Sequence, residues 1–176
     1  MAYDKAALKL MSMSDEVWIR HANPWSVRTR ILLFPLWFFA LWSRVWIGWW
    51  AVAPVGVMAV LTWLNPRIFR PYTDDKSWST RGVLGERIFT RRREVQIPRE
   101  HLLTAHLLSG LAGISMIAAI FGFLFEDFRL ALGGWLLAAT FKLWFFHRMV
   151  RLYEVMCSEV PEYRAWSRGP GAPEMK

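Results

Sequence analysis

The chain has 176 residues, the length of one domain, yet 55% are apolar and twelve Trp and twelve Phe exceed what a soluble core of that size uses. The formal charge is +8, so the apolar excess is matched by a strongly basic remainder, and the pair of features points to a membrane. The single Cys157 excludes an internal disulfide, and no CxxC or other thiol cluster suggests a metal or redox centre.

In chain order, apolar runs fall at 31–42, 45–64, 102–125 and 130–146. The second and third hold 20 and 24 residues with no charged side chain, enough at about 1.5 Å per residue to cross a hydrocarbon layer of about 30 Å. The first run reaches nearly full span when extended back to Trp25, provided Arg28 and Arg30 snorkel toward the headgroups. The fourth has 17 residues and suffices, with Lys142 near its charged end. The expected fold is therefore an all-α integral membrane protein with four transmembrane helices in two hairpins. Its segments are a basic cytoplasmic stretch at 1–24, a first hairpin at 25–64, a basic cytoplasmic loop at 65–101, a second hairpin at 102–146 and a cytoplasmic tail at 147–176. A second span follows the first at once and no small-x-small pattern intervenes, so a cleaved signal peptide is not expected.

Charge orients these segments. Outside the spans, 19 Lys and Arg lie in 1–30, 65–101 and 147–176, against only Arg44 and Arg129 in the two short connections. The positive-inside rule then places both termini and the central loop in the cytoplasm. Reading 25–64 as one continuous helix would split the positive charge between the two faces and give a rod of about 60 Å, twice the bilayer. In the hairpin reading, 42–50 is an external turn whose Trp42, Trp46, Trp49 and Trp50 form an interfacial aromatic belt. Within the central loop, RGVLGERIF predicts a short interfacial helix, although Gly82 and Gly85 disfavour helix. Arg91, Arg92 and Arg93 read as an anchor to anionic lipid; the adjoining membrane makes a nucleic-acid role unnecessary. The last ten residues, SRGPGAPEMK, have the composition of a disordered tail.

Asn-Pro occurs twice at these borders, in HANPWSVRTR and in NPRIFR. At the first, Asn23 can cap the helix while Pro24 takes its first turn. At the second, Asn65-Pro66 is expected to end the helix and turn the chain along the interface. Spaced small residues, Ser109 with Gly113, Ser115 with Ala119 and Gly134 with Ala138, allow close helix contact in the last two spans.

Two constellations carry candidate chemistry. Arg28, Arg30, His106 and Lys142 should all lie at one depth, about 7 Å inside the cytoplasmic boundary, where they would suit a phosphate or carboxylate headgroup. His21, His101, His106 and His147 all fall on the cytoplasmic side and are the residues a metal would use, but HxxxxH turns its two members about 140° apart, a poor chelate. There is no GxSxG, Walker or GxGxxG motif, and no span combines a central acidic residue with a broken apolar run. These features favour a non-catalytic accessory or interaction subunit with no cofactor. Its partners would be anionic membrane lipid and a membrane protein or a second copy of the chain, with nucleic acid excluded. A lipid-modifying or metal-dependent membrane enzyme using the histidines is the first alternative, and a small-solute transporter the second.

Taken together, HANPWSVRTR, PLWFFALWSRVWIGWW, WLNPRIFRPY, RGVLGERIF and KLWFFHRMVRLYE resemble an uncharacterised family, a domain of unknown function, of small multi-pass membrane proteins from bacteria and archaea. The resemblance covers about 18–166 and implies a bacterial inner (plasma) membrane location without implying an activity. PEYRAW near the C-terminus is faintly similar to the closing segment of isoprenylcysteine and phospholipid methyltransferases, but the RHPxY-type motif that precedes it in those enzymes is absent.

Overall fold

The computed structural model describes residues 15–72, 74–93, 95–160 and 163. Among them every regular element is helical: α1 (Asp15–His21), α2 (Pro24–Trp42), α3 (Arg44–Ile47), a 3-10 turn (Gly48–Ala51), α4 (Val52–Ile68), α5 (Trp78–Thr90), α6 (Arg99–Leu124) and α7 (Phe128–Glu159). Three stretches are long and apolar enough to cross a membrane, Pro24–Ile68, Arg99–Leu124 and Phe128–Glu159. The tail at 167–176 and most of PEYRAW lie outside the described residues.

The 45 residues of Pro24–Ile68 do not form one rod. Asn23 begins α2 as its cap, Oδ1 accepting the Trp25 amide at 2.9 Å, with Pro24 in the first turn where its missing N–H leaves no bond unmade. The helix stops at Ser43, and Gly48 adopts φ +57, which glycine reaches without a Cβ penalty. Pro54 then falls in the first turn of α4, again where no N–H partner is needed. Two side-chain bonds join the halves: Ser26 Oγ donates to Asn65 Oδ1 at 2.7 Å, and Trp37 Nε1 donates to Thr62 Oγ1 at 2.9 Å. A straight helix would hold Ser26 and Asn65 about 58 Å apart, so the chain reverses between them.

The residues group into two compact units, 1–29, 63–98 and 146–176 in the first and 30–62 and 99–145 in the second. In the second unit, α6 and α7 approach closely enough that a Cβ on Gly134 would meet Ser115 O at 2.7 Å, and one on Gly122 would run into the backbone of Ala131. Ser115, Ala119, Gly134 and Ala138, expected from their spacing to allow such packing, are all buried, whereas Ser109 and Gly113 remain exposed. An aromatic core fills the rest, with Phe34 stacked on Trp135 at 4.5 Å and Trp42 edge-on to Phe128 at 5.2 Å. Trp42 is thus 7% exposed and leaves the expected belt, while Trp46, Trp49 and Trp50 stay at the surface. The reason is helical phase: Trp42 lies one turn past Phe38 and shares its buried stripe. At α7's start, Asp127 Oδ1 caps the Leu130 amide at 3.0 Å, and Glu126, at φ +57, pairs with Arg44 at 3.9 Å.

In the first unit, α5 packs on the second half of α7. A Cβ on Gly82 would collide with the Phe146 ring, and one on Gly85 with the Met149 carbonyl group. The glycines that disfavour helix in isolation are what permit this contact. Val83, Leu84 and Ile88 are buried, so this helix is present as expected but spends its apolar side on protein. From Phe146 to Cys157 most of α7 is buried, leaving His147 and Arg151 at the surface.

Candidate functional site

The two Asn-Pro segments meet in the first unit, and each asparagine reaches across to the other's neighbourhood. Asn23 Nδ2 donates to Arg70 O at 3.0 Å, just beyond the second Asn-Pro. Asn65 accepts from Ser26 at 2.7 Å and donates to Thr29 Oγ1 at 2.7 Å, just beyond the first. Thr29 in turn donates to Trp25 O at 2.8 Å, so the amide, both hydroxyls and a carbonyl form one satisfied chain. This corrects the expectation for Asn65-Pro66. The helix α4 runs on to Ile68 with Pro66 inside it and buried, because the last turn's Pro loses only one bond while Asn65 gains two across the helix pair.

Beside this crossing lie two matching cation–π pairs. Arg28 Cζ stands 5.1 Å from the Trp25 ring centroid, and Arg67 Cζ stands 3.9 Å from that of Trp63. Arg67 also donates from Nη1 to Trp63 O. Such stacking fixes a guanidinium that would otherwise sample many rotamers.

A second polar group ties the 69–77 connection to α7. Arg81 donates from Nε to Asp75 O at 2.7 Å and from Nη1 to Glu154 Oε1 at 3.1 Å; Arg151 holds the other Glu154 oxygen at 3.2 Å. Tyr153 OH donates to Asp75 Oδ2 at 3.3 Å. Thr80 Oγ1 donates to Ala22 O at 2.8 Å, which attaches α5 to the turn between α1 and α2. These contacts bring together the Glu154 carboxylate, held by two arginines, and the Asp75 carboxylate, held by the Tyr153 hydroxyl, an arrangement suited to holding shape.

The residues picked out from sequence are distributed as follows. Arg28 belongs to the first unit and Arg30, His106 and Lys142 to the second. His106 Nδ1 lies 2.7 Å from Leu102 O, and the Lys142 ammonium sits 4.5 Å from the Phe145 ring centroid. Arg91 and Arg93 are exposed on the turn after α5, and Arg92 lies over Phe89 at 4.7 Å while donating to its carbonyl at 3.1 Å. Of the histidines, His21 is edge-on to Trp18 at 5.8 Å, His101 is buried with Nε2 3.7 Å from Glu100, and His147 is exposed. Among the described residues, no three His, Cys, Asp or Glu side chains gather where they could hold a metal ion. Arg67 and the Arg81–Glu154–Arg151 group escaped the sequence reading. The first carried a usable signal, Trp four residues before Arg on a helix; in the second, Arg151 and Glu154 carry one as an i,i+3 pair, while Arg81 and Glu154 are 73 apart and have none.

No curated protein and no solved structure matches the chain. The model of one family covers residues 2–170, nearly the whole sequence. The chain belongs to that family, the family of unknown function DUF6653.

Proposed function

We propose that the protein is a four-span inner-membrane protein with both termini and the 65–101 segment in the cytoplasm. It acts without catalysis of its own, as an accessory or interaction subunit whose cytoplasmic face binds anionic lipid. The observation that carries this reading is how sequence charge and exposed apolar side chains divide between the two units. Of the 22 Lys and Arg, only Arg30, Arg44, Arg99, Arg129 and Lys142 fall in the second unit's ranges, which leaves 17 in the first. The second unit exposes Leu32, Leu36, Val57, Leu103, Ile114 and Leu124 along its helices, a surface that water disfavours and acyl chains accept.

The reversal after Trp42 supports two crossings for Pro24–Ile68, and the Arg44–Glu126 pair supports placing both short connections on one side. On the opposite side, Arg91, Arg92 and Arg93 would anchor anionic lipid, and Arg28, Arg30, His106 and Lys142 would lie at headgroup depth. Two measurements test this. A reporter active only outside the cytoplasm should signal when fused near Arg44 or Arg129 and stay silent near Arg92; a signal at Arg92 overturns the orientation. Native mass spectrometry of the full chain should retain phosphatidylglycerol over phosphatidylcholine, with the R91Q/R92Q/R93Q variant retaining less. Equal retention of the two lipids overturns lipid binding.

A further inference from the structure

The geometry points to a specific anionic-phospholipid clamp formed by Trp25 with Arg28 and Trp63 with Arg67, two guanidinium–indole pairs set at the same level of the α2–α4 crossing. It rests on the membrane reading above and adds to it a defined site, including a residue, Arg67, outside the basic groups already assigned.

Three observations lead there. First, among the described residues the first unit exposes only four large hydrophobic side chains, Trp25 at 62%, Trp63 at 48%, Ile68 at 65% and Trp78 at 43%. Three of the four are tryptophan, the side chain that settles where hydrocarbon gives way to headgroups, because its ring is apolar and its N–H needs a polar neighbour. Second, each Trp–Arg pair brackets one partner of the same buried bond: residues 25 and 28 straddle Ser26, and residues 63 and 67 straddle Asn65, and those two are joined at 2.7 Å. The crossing therefore holds both pairs at the same level of the helix pair. Third, both guanidinium groups lie over indole rings, at 5.1 and 3.9 Å. An arginine stacked in this way is pre-ordered, and its planar fork matches two oxygens of a phosphate as an ammonium does not.

The occupant that meets all three conditions is the phosphodiester of an anionic membrane lipid: its charge complements the two arginines, and its apolar part meets the exposed Trp25 and Trp63 rings.

The test titrates the full chain in neutral detergent with short-chain phosphatidylglycerol and reads binding by native mass spectrometry. R28Q and R67Q should each weaken binding about fivefold, and the double variant about 25-fold, with retained helicity as the folding control. R28K/R67K should recover less than half of the loss, because charge returns without the stacked fork. Complete recovery by lysine overturns the clamp in favour of simple charge attraction, and competition by glycerol phosphate as strong as by the lipid overturns the lipid as its ligand. A phosphatidylglycerol preference that depends on Arg91, Arg92 and Arg93 but is untouched by R28Q/R67Q overturns the clamp alone. Absence of any preference in the unaltered chain overturns both the clamp and the lipid binding on which it rests.

Discussion

Gly85→Ala should loosen the first unit by about 2 kcal/mol. The Cβ it adds would meet the Met149 carbonyl carbon at 2.6 Å and its Cα at 3.1 Å, and both are backbone atoms that cannot rotate away. Helix α5 must then lift off α7, and overpacking of this kind costs up to about 3 kcal/mol. Alanine's better helix propensity offsets about 1 kcal/mol of that. A net loss of about 2 kcal/mol raises the open population about thirtyfold.

Cys157 supplies the assay. It is the chain's single cysteine and is buried in the same unit as Gly85 and Met149, so a thiol reagent reaches it when that unit opens. With reagent in excess and opening fast, the labelling rate should rise about thirtyfold in Gly85→Ala. Gly56→Ala is the control: a Cβ there meets nothing within 4 Å, and labelling should stay at the unaltered rate. A Gly85→Ala rate within twofold of the unaltered protein would refute the close packing of α5 on α7.

Further outcomes follow from the polar contacts. Asn65→Leu removes two hydrogen bonds, with Ser26 and with Thr29, and should cost about 1–3 kcal/mol in thermal unfolding; Ser26→Ala should cost less in that background than alone, and strict additivity would argue against a direct bond. Asp127→Ala removes the cap from the Leu130 amide, and a loss of about 1 kcal/mol should appear as a lower unfolding temperature. Glu154→Gln breaks the ion pairs with Arg81 and Arg151, but Glu154 is about a third exposed. The expected loss is under about 1 kcal/mol and should largely vanish in about 1 M salt.

Hydropathy and residue spacing reach far into this fold because each is a one-dimensional property. The long apolar stretches, the cap at Asn23, the break near Ser43 and the close-packing residues Ser115, Ala119, Gly134 and Ala138 were all readable from spacing. What failed depended on partners distant in sequence. Trp42 reads as one more belt tryptophan until Phe38, Phe123 and Phe128 surround it. Gly82 and Gly85 read as helix breakers because propensity scales describe an isolated helix, and only the facing Phe146 and Met149 turn them into contact residues. Of the proposed clamp, the sequence singles out Arg28 as a headgroup candidate, whereas Arg67 reads only as one charge in a basic loop, since α4 is expected to end before it.

The repeated Asn-Pro shows why local reading stops where it does. Taken separately, the two dipeptides look like opposite punctuation, a start before α2 and a stop after α4. In the fold they are reciprocal: Asn23 reaches the carbonyl of Arg70, and Asn65 reaches Ser26 and Thr29. An asparagine amide both donates and accepts, so each can satisfy its own helix end or its partner's and one amide can do both. Asn23 does so, accepting from Trp25 while donating to Arg70. Proline at the next position confines the local chain without needing an N–H partner, which keeps the geometry stiff where the segments cross. The consequence is a fixed relation between residues 39 apart, and that relation, more than either motif, is what sets the two Trp–Arg pairs at one level of the crossing.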